Sequence, residues 1–255
     1  MPDNPEIYDG VGLLKSENSG MKNHISTPEE LNNLKSYIQQ ICALFNNKPV
    51  WYRINDASTS FVNKLNGDRV FSEPNPHFGL RGIRRALVCS ETFSNEIKMI
   101  ESLRDHFKNL NIIFPFVNDV KQYDEAVAIA KKLGYSGRMG SMIELPSALL
   151  NLNDFIDSGC DYFVFGMNDL TDCVEGCSRK NSETASLIYR DSSLKATRRL
   201  LGMVEWKDNV EYVLSGEITP PMLEILNKFK FSSVAIPYYM LVKDPRYIEM
   251  VRVKE

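Results

Sequence analysis

A parallel α/β architecture closing into a (β/α)8 barrel is the fold class this sequence predicts, on three observations. Short apolar runs alternate with stretches whose apolar residues recur at helical spacing, and strict alternation of this kind implies a parallel sheet. Several runs are apolar throughout rather than on every second residue, as expected for strands covered on both faces. Two successive runs, Gly140-Ser141-Met142-Ile143-Glu144 and Phe163-Val164-Phe165-Gly166-Met167-Asn168-Asp169, stop at an acidic residue. The C-terminal ends of barrel strands form the active face. A doubly wound open sheet is the competing solution.

The elements follow in chain order. Val11-Gly12-Leu13-Leu14 is the first apolar run. Thr27-Pro28-Glu29-Glu30 opens a helix with a capping hydroxyl, proline at the first position and early acids, continued by Leu31, Leu34, Ile38 and Ile41. Val50 to Ile54 is the second strand, followed by a polar loop from Asp56 to Gly82. A helix is expected from Ser94 to Phe107, a strand from Ile112 to Val117, and a helix from Val120 to Leu133 that Gly134 caps. Between the two acid-ending strands lies a helix from Pro146 to Ile156. A long helix from Ala185 to Trp206, a strand from Val210 to Leu214, a helix from Pro220 to Phe229 and a strand from Ser233 to Pro237 complete the series. Seven strands are visible and the eighth is not. With no repeat, low-complexity linker or boundary, residues 1–255 are expected to form a single domain.

Composition narrows the function classes. The chain has 255 residues, 43% hydrophobic and 25% charged, with net charge −3, so no polyanion-binding surface is implied and no nucleic-acid partner is expected. No apolar run is long enough to cross a membrane, and the N-terminus lacks the pattern of a signal peptide. A cytoplasmic protein is expected. Cys42, Cys89, Cys160, Cys173 and Cys177 have no paired spacing, so reduced thiols are expected. Cys173 and Cys177 have no histidine nearby, and no zinc site is expected there. Trp51 and Trp206 are expected in the core, and His24 and His106 at the surface.

The chemistry-bearing residues lie at strand ends. Glu144 and Asp169 could together hold one hard divalent cation. Lys15 ends the first apolar run and Arg53 the second, while Arg81 sits in Gly79-Leu80-Arg81-Gly82. Basic groups converging on one mouth beside a cation suit a small, doubly anionic, oxygen-rich ligand, which arginine grips in a forked way. The alternative, from spacing alone, is that these are rim charges in solvated pairs.

Six segments in order carry a resemblance. Asp9-Gly10-Val11-Gly12-Leu13-Leu14-Lys15-Ser16-Glu17 resembles D-G-(I/V)-G-L-x-R-(T/S)-E. Arg53-Ile54-Asn55-Asp56 resembles R-T-x-D, and Asn75 to Gly82 resembles N-P-x-x-G-x-R-(G/A). Phe114-Pro115-Phe116-Val117, Gly140 to Pro146, and Gly166-Met167-Asn168-Asp169-Leu170-Thr171 resemble F-P-(M/F)-(I/V), G-x-M-(I/V)-E-x-P and G-(S/T)-N-D-L-T. The chain thus resembles the C-terminal, phosphoenolpyruvate (PEP)-binding domain of the PEP-utilising enzymes, which include PEP synthase, pyruvate phosphate dikinase and enzyme I of the sugar phosphotransferase system. The resemblance implies a (β/α)8 barrel that binds Mg²⁺ with PEP or pyruvate. It implies Glu144 and Asp169 as metal ligands, and Arg53 and Arg81 as the arginines on the phosphoryl group and the substrate carboxylate. It also implies Asn168 and Arg179 as substrate contacts, with Lys15 beside them, and a homodimer.

Two positions depart from the family pattern. Where it carries C-G-(Q/E), with the thiol that protonates the methylene carbon of PEP, this chain has Ser215-Gly216-Glu217. A hydroxyl is far less acidic than a thiol, so Ser215 is a poor proton donor at the catalytic position. Lys15 stands in place of arginine, keeping the charge and losing the fork. The family also passes phosphate through a histidine on a mobile domain, and His24, His77 and His106 do not lie on one. The resemblance therefore implies a stand-alone barrel working with a separate phospho-histidine or ATP-binding protein, an enzyme only if catalysis survives the change at Ser215. Three readings stay open beside it: a phosphotransferase with a non-enol acceptor, a non-catalytic PEP-sensing or interaction module, and a metal-dependent lyase acting on a 2-oxo acid.

Overall fold

Seven short strands, each followed by helix, run in chain order. A computed structural model describes residues 4–67, 71–179, 181, 183, 186 and 194–251. The strands are β1 (Val11–Lys15), β2 (Val50–Arg53), β3 (Leu110–Phe114), β4 (Met139–Ile143), β5 (Tyr162–Gly166), β6 (Glu211–Ser215) and β7 (Ser233–Ala235), in sheet order 1-2-3-4-5-6-7. The pairs β1/β2, β2/β3, β4/β5, β5/β6 and β6/β7 are all parallel. This is the (β/α)8 barrel class, with seven strands among the described residues. Every residue of β2, β3 and β5 is buried, which is why their sequences read as unbroken apolar runs.

The chain divides into two compact units, one of Met1–Val117 with Lys121–Gly140 and one of Asn118–Val120 with Ser141–Glu255. In the first unit, α1 (Pro28–Leu44) starts as its sequence predicts. Thr27 Oγ1 accepts the Glu30 backbone N–H at 3.3 Å, Pro28 takes the first turn, and Leu34, Ile38 and Ile41 face inward. The loop after β2 holds a short helix, α2 (Thr59–Val62). The helix expected at Ser94 starts earlier: α3 (Gly82–Val88) and α4 (Ser90–Arg104) follow one another around Cys89. The strand expected to reach Val117 ends at Phe114, because Phe116 turns left-handed at φ 56°. α5 (Val120–Lys132) leads to Gly134, whose φ of 87° makes it the expected left-handed cap. Trp51 is buried as expected, whereas His24, expected at the surface, is only 2% exposed, with Nδ1 2.8 Å from Ser26 Oγ.

In the second unit the helix expected over Pro146–Ile156 is broken into α6 (Pro146–Leu150) and α7 (Leu152–Asp157). Asp169 does not end a strand: β5 stops at Gly166, and Asp169 lies in the first turn of α8 (Met167–Glu175), which Gly176 closes at φ 65°. Of the helix expected over Ala185–Trp206, the described part is α9 (Leu194–Leu201), ending before Gly202; much of 180–193 lies outside the described residues. α10 (Pro220–Lys228) follows β6, and α11 (Tyr238–Lys243) and α12 (Tyr247–Val251) follow β7. Trp206 is half-buried, stacked between Phe165 and Phe229.

Candidate functional site

In the first unit the cations gather where β1 and β2 end. The register pairs Lys15 with Arg53, so these two basic residues stand side by side on neighbouring strand ends. Arg53 is buried, with both terminal nitrogens on carboxylates. Its Nη2 donates to Glu17 Oε2 at 3.0 Å, and its Nη1 lies 3.0 Å from Asp56 Oδ2. Arg81, equally buried, spends its fork on the same aspartate, with Nε donating to Oδ1 at 3.0 Å and Nη2 to Oδ2 at 2.5 Å. Glu17 Oε1 in turn accepts the Asp56 backbone N–H at 3.0 Å. Burial pushes the Glu17 carboxyl up, but the Arg53 charge and the hydrogen bonds from the backbone and Arg53 outweigh it and hold the group below its usual range. The arginines are therefore neither rim charges nor solvated pairs. A buried ionic cluster of this kind adds little net stability, because desolvation offsets the attraction, but it leaves each guanidinium a single orientation.

The backbone after Arg81 keeps that orientation. Gly82 sits at φ 53°, and a Cβ there would lie 2.6 Å from Pro115 O, 2.8 Å from Phe116 Cβ and 3.0 Å from Asp56 Oδ1. Only glycine allows this close approach. The Ile83 N–H donates to Pro115 O at 2.9 Å, and the left-handed turn at Phe116 brings its ring under Arg81 and Arg84, whose guanidinium carbons lie 4.3 and 4.7 Å from the ring centre.

In the second unit the acids gather where β4 and β5 end. The register pairs Ile143 with Phe165 and Gly166 with Ser215, so Glu144, Gly166 and Ser215 lie in one row. Glu144 is 1% exposed, and a Cβ on Gly166 would fall 2.8 Å from its Oε2. Glycine leaves the space its carboxylate occupies. Asp169, also buried, receives Arg179 Nη1 at 3.0 Å, and the same nitrogen donates to Asp172 Oδ2 at 2.8 Å while the Arg179 N–H reaches Asp172 Oδ1 at 3.2 Å. Asn168 is half-buried, and its Oδ1 would lie 3.6 Å from a Cβ on Gly216, next to Ser215. Ser215 is buried. Two buried carboxylates, one just past a strand and one in the next strand's following helix, are the hard oxygen donors that a divalent cation such as Mg²⁺ takes. The space kept by Gly166 fits that use.

Sequence reasoning named Lys15, Arg53, Arg81, Glu144, Asn168, Asp169, Arg179 and Ser215. It gave no role to Glu17 and Asp56, although both lie in the quoted motifs, and it missed Asp172 and Glu96. Asp172 could have been found three residues after Asp169, had the helix been read there. Glu96 falls among the apolar positions Phe93, Ile97 and Ile100 of α4, and a carboxylate on an apolar stripe is the signal that marks it.

These ordered strand-end residues belong to a defined class. Residues 4–219 match the family described as the PEP-utilising enzyme, PEP-binding domain, and the chain belongs to that family. Among individual proteins it is 30% identical over 246 residues to the phosphoenolpyruvate synthase of Pyrococcus furiosus, covering 89% of this chain and 30% of the synthase. It is 31% identical over 224 residues to the phosphoenolpyruvate-dependent phosphotransferase system protein of Salmonella typhimurium, covering 82% of this chain and 29% of that protein. The chain therefore spans about a third of the length of the relatives it matches.

Proposed function

We propose that this chain, as a single PEP/pyruvate-binding domain, binds PEP, pyruvate or a closely related small acid together with Mg²⁺ and acts in phosphoryl transfer with a separate phospho-histidine protein. The observation that carries this reading is that Glu144 and Asp169, one just past β4 and one in the first turn after β5, are both buried in a chain whose family is the PEP-binding domain. Glu144 and Asp169 are the residues to hold the cation, which when bound supplies positive charge to the enolate and carboxylate oxygens of the substrate. Arg53 and Arg81, aimed by Glu17 and Asp56, are assigned to its anionic oxygens, with Lys15 as a point charge beside Arg53. Asn168 is assigned a substrate hydrogen bond, and Arg179 a contact that it can make on leaving Asp169 or sharing it. Phosphoryl transfer demands positioning and charge neutralisation more than covalent chemistry, and orientation by fixed carboxylates serves that demand. A homodimer and a cytoplasmic location belong to the same reading. Among the described residues no helix is long and apolar enough to cross a membrane.

Ser215 favours a second reading, in which the domain binds the acid without interconverting pyruvate and its enolate, as a sensor or as a phosphotransferase whose acceptor is not an enol. Calorimetric titration of oxalate, PEP and pyruvate with and without Mg²⁺ tests the binding that both readings share. Mg²⁺-dependent oxalate binding is expected, with Glu144→Ala lowering the affinity at least ~100-fold through loss of a metal ligand. Equal binding by the variant would sink the assignment. Turnover with a phospho-histidine protein supplied separates the first reading from the second.

A further inference from the structure

Glu96 has no part in the site as assigned above, yet it holds the strand end that carries Arg53. It is 2% exposed, on α4. One oxygen, Oε1, accepts the Tyr52 O–H at 2.6 Å and the Asn55 backbone N–H at 3.0 Å. Tyr52 precedes Arg53 and Asn55 follows it by two, so one carboxyl oxygen fastens the chain on both sides of the arginine. The Asn55 side chain continues the tie, with Nδ2 donating to Ser16 Oγ at 3.3 Å and Oδ1 accepting the Ala57 N–H at 3.2 Å. Glu17 grips the same segment through Arg53 and the Asp56 N–H. A buried acid, Glu96, and a half-buried one, Glu17, thus hold four of the five residues from Tyr52 to Asp56, and their tuning is opposite. Glu17 is kept ionised by Arg53. Burial pushes Glu96 up to about 7, against the two hydrogen bonds it accepts and with the Glu17 charge adding to the rise.

Glu96 also borders a cavity of about 20 Å³, lined with it by His24, Asn55, Arg85, Cys89 and Phe93. That volume admits a single water, enough to carry a proton to the carboxyl. The titratable and charged groups facing Glu96 are Tyr52 on β2, Glu17 after β1, His24 before α1, and Arg85 and Cys89 at the end of α3. Burial and the Glu96 charge hold the Tyr52 hydroxyl well above its usual range, so it remains a donor throughout.

We propose that Glu96 is the positioning residue for Arg53, and that an anionic ligand of this site binds with uptake of a proton on the Glu96 carboxyl. The inference rests on the acid-binding reading above. A neutral carboxyl still accepts both hydrogen bonds through its carbonyl oxygen, so the strand end stays fastened. Ionised Glu96 adds a negative charge beneath the residues assigned to the anion and repels it. Affinity for an anion therefore falls as pH rises through the Glu96 range.

Oxalate with Mg²⁺ is the probe, because it is fully ionised over the range used. In wild type, affinity is expected to fall about threefold to tenfold between about pH 6 and about pH 8.5, with proton uptake visible as a heat that changes with the buffer's ionisation enthalpy. Glu96→Gln, which keeps the acceptor oxygen and cannot ionise, should bind as wild type does at the lower pH and lose most of the slope. Glu96→Ala should bind about tenfold more weakly at both. A Glu96→Gln protein that keeps the wild-type slope overturns proton coupling, and a folded Glu96→Ala protein with unchanged affinity overturns positioning. Amide hydrogen exchange at Asn55 needs no ligand. It should speed up in Glu96→Ala and stay slow in Glu96→Gln, and equal rates in all three proteins overturn the tie itself. Failure of wild type to bind oxalate at either pH sinks the acid-binding reading and leaves the exchange result to judge the tie.

Discussion

At Ser215 the two proposed readings divide on a single atom. A thiol titrates near ~8.5 and a serine hydroxyl far higher, so the hydroxyl neither gives nor takes a proton at carbon near neutral pH. Ser215 is buried and level with Gly166 and Ala235 on the neighbouring strands, so a thiol there would keep the same row. The pyruvate methyl protons should not exchange with deuterated water in the presence of wild type and Mg²⁺, whereas Ser215→Cys should add measurable exchange by proton NMR. Exchange by wild type above the buffer rate would show that another group performs the proton transfer. The neighbouring substitution is milder: Lys15 keeps a cation in register with Arg53 but offers a point charge in place of a fork.

Among the elements, the turns after β3 and β5 matter more than the strands themselves. Gly82 opens α3 in a left-handed conformation pressed on Pro115 and Phe116, and Arg81 stands directly before it. Gly82→Ala must relieve a backbone oxygen 2.6 Å from the new Cβ and adopt an unfavourable φ, a cost of about 2–4 kcal/mol. A denaturant midpoint lowered accordingly is expected, and a change below about 0.5 kcal/mol would mean that the loop yields freely. Periodicity shows neither this turn nor α3, because the helical pattern is evident only from Ser94, inside α4. In sequence α8 reads as the end of the β5 run. Its first turn, Met167-Asn168-Asp169-Leu170, follows β5 with no residue between them, and a short buried helix and a buried strand look alike in sequence.

Over the whole molecule, the six family motifs account for most of the assigned residues, and the chain covers only about a third of the relatives' length. Ligand linkage measures the assignment at this scale. A folded state that binds Mg²⁺ and oxalate gains about 2.7 kcal/mol when the ligand stands at a hundred times its dissociation constant. The thermal midpoint should therefore rise with both together by more than with either alone. A midpoint indifferent to the pair would argue for a domain that has kept the fold and lost the ligand.

The sequence by itself determined the order of the seven strands, the parallel sheet class, the family, and the charges at the ends of β1, β2 and β4. These follow from local signals: unbroken apolar runs, helix caps at Thr27 and Gly134, and side chains fixed in order along short motifs. Only the tertiary structure decided that Arg53 and Arg81 are held by Glu17 and Asp56, that Gly166 makes room for Glu144, that Arg179 bridges Asp169 and Asp172, and that Glu96 fastens the strand end around Arg53. Each joins residues on different elements, as Tyr52 and Glu96 are joined. Sequence spacing reports which face of an element is apolar; which polar group a buried carboxylate meets depends on the packing of another element against it, where an unpaired charge would be too costly to keep.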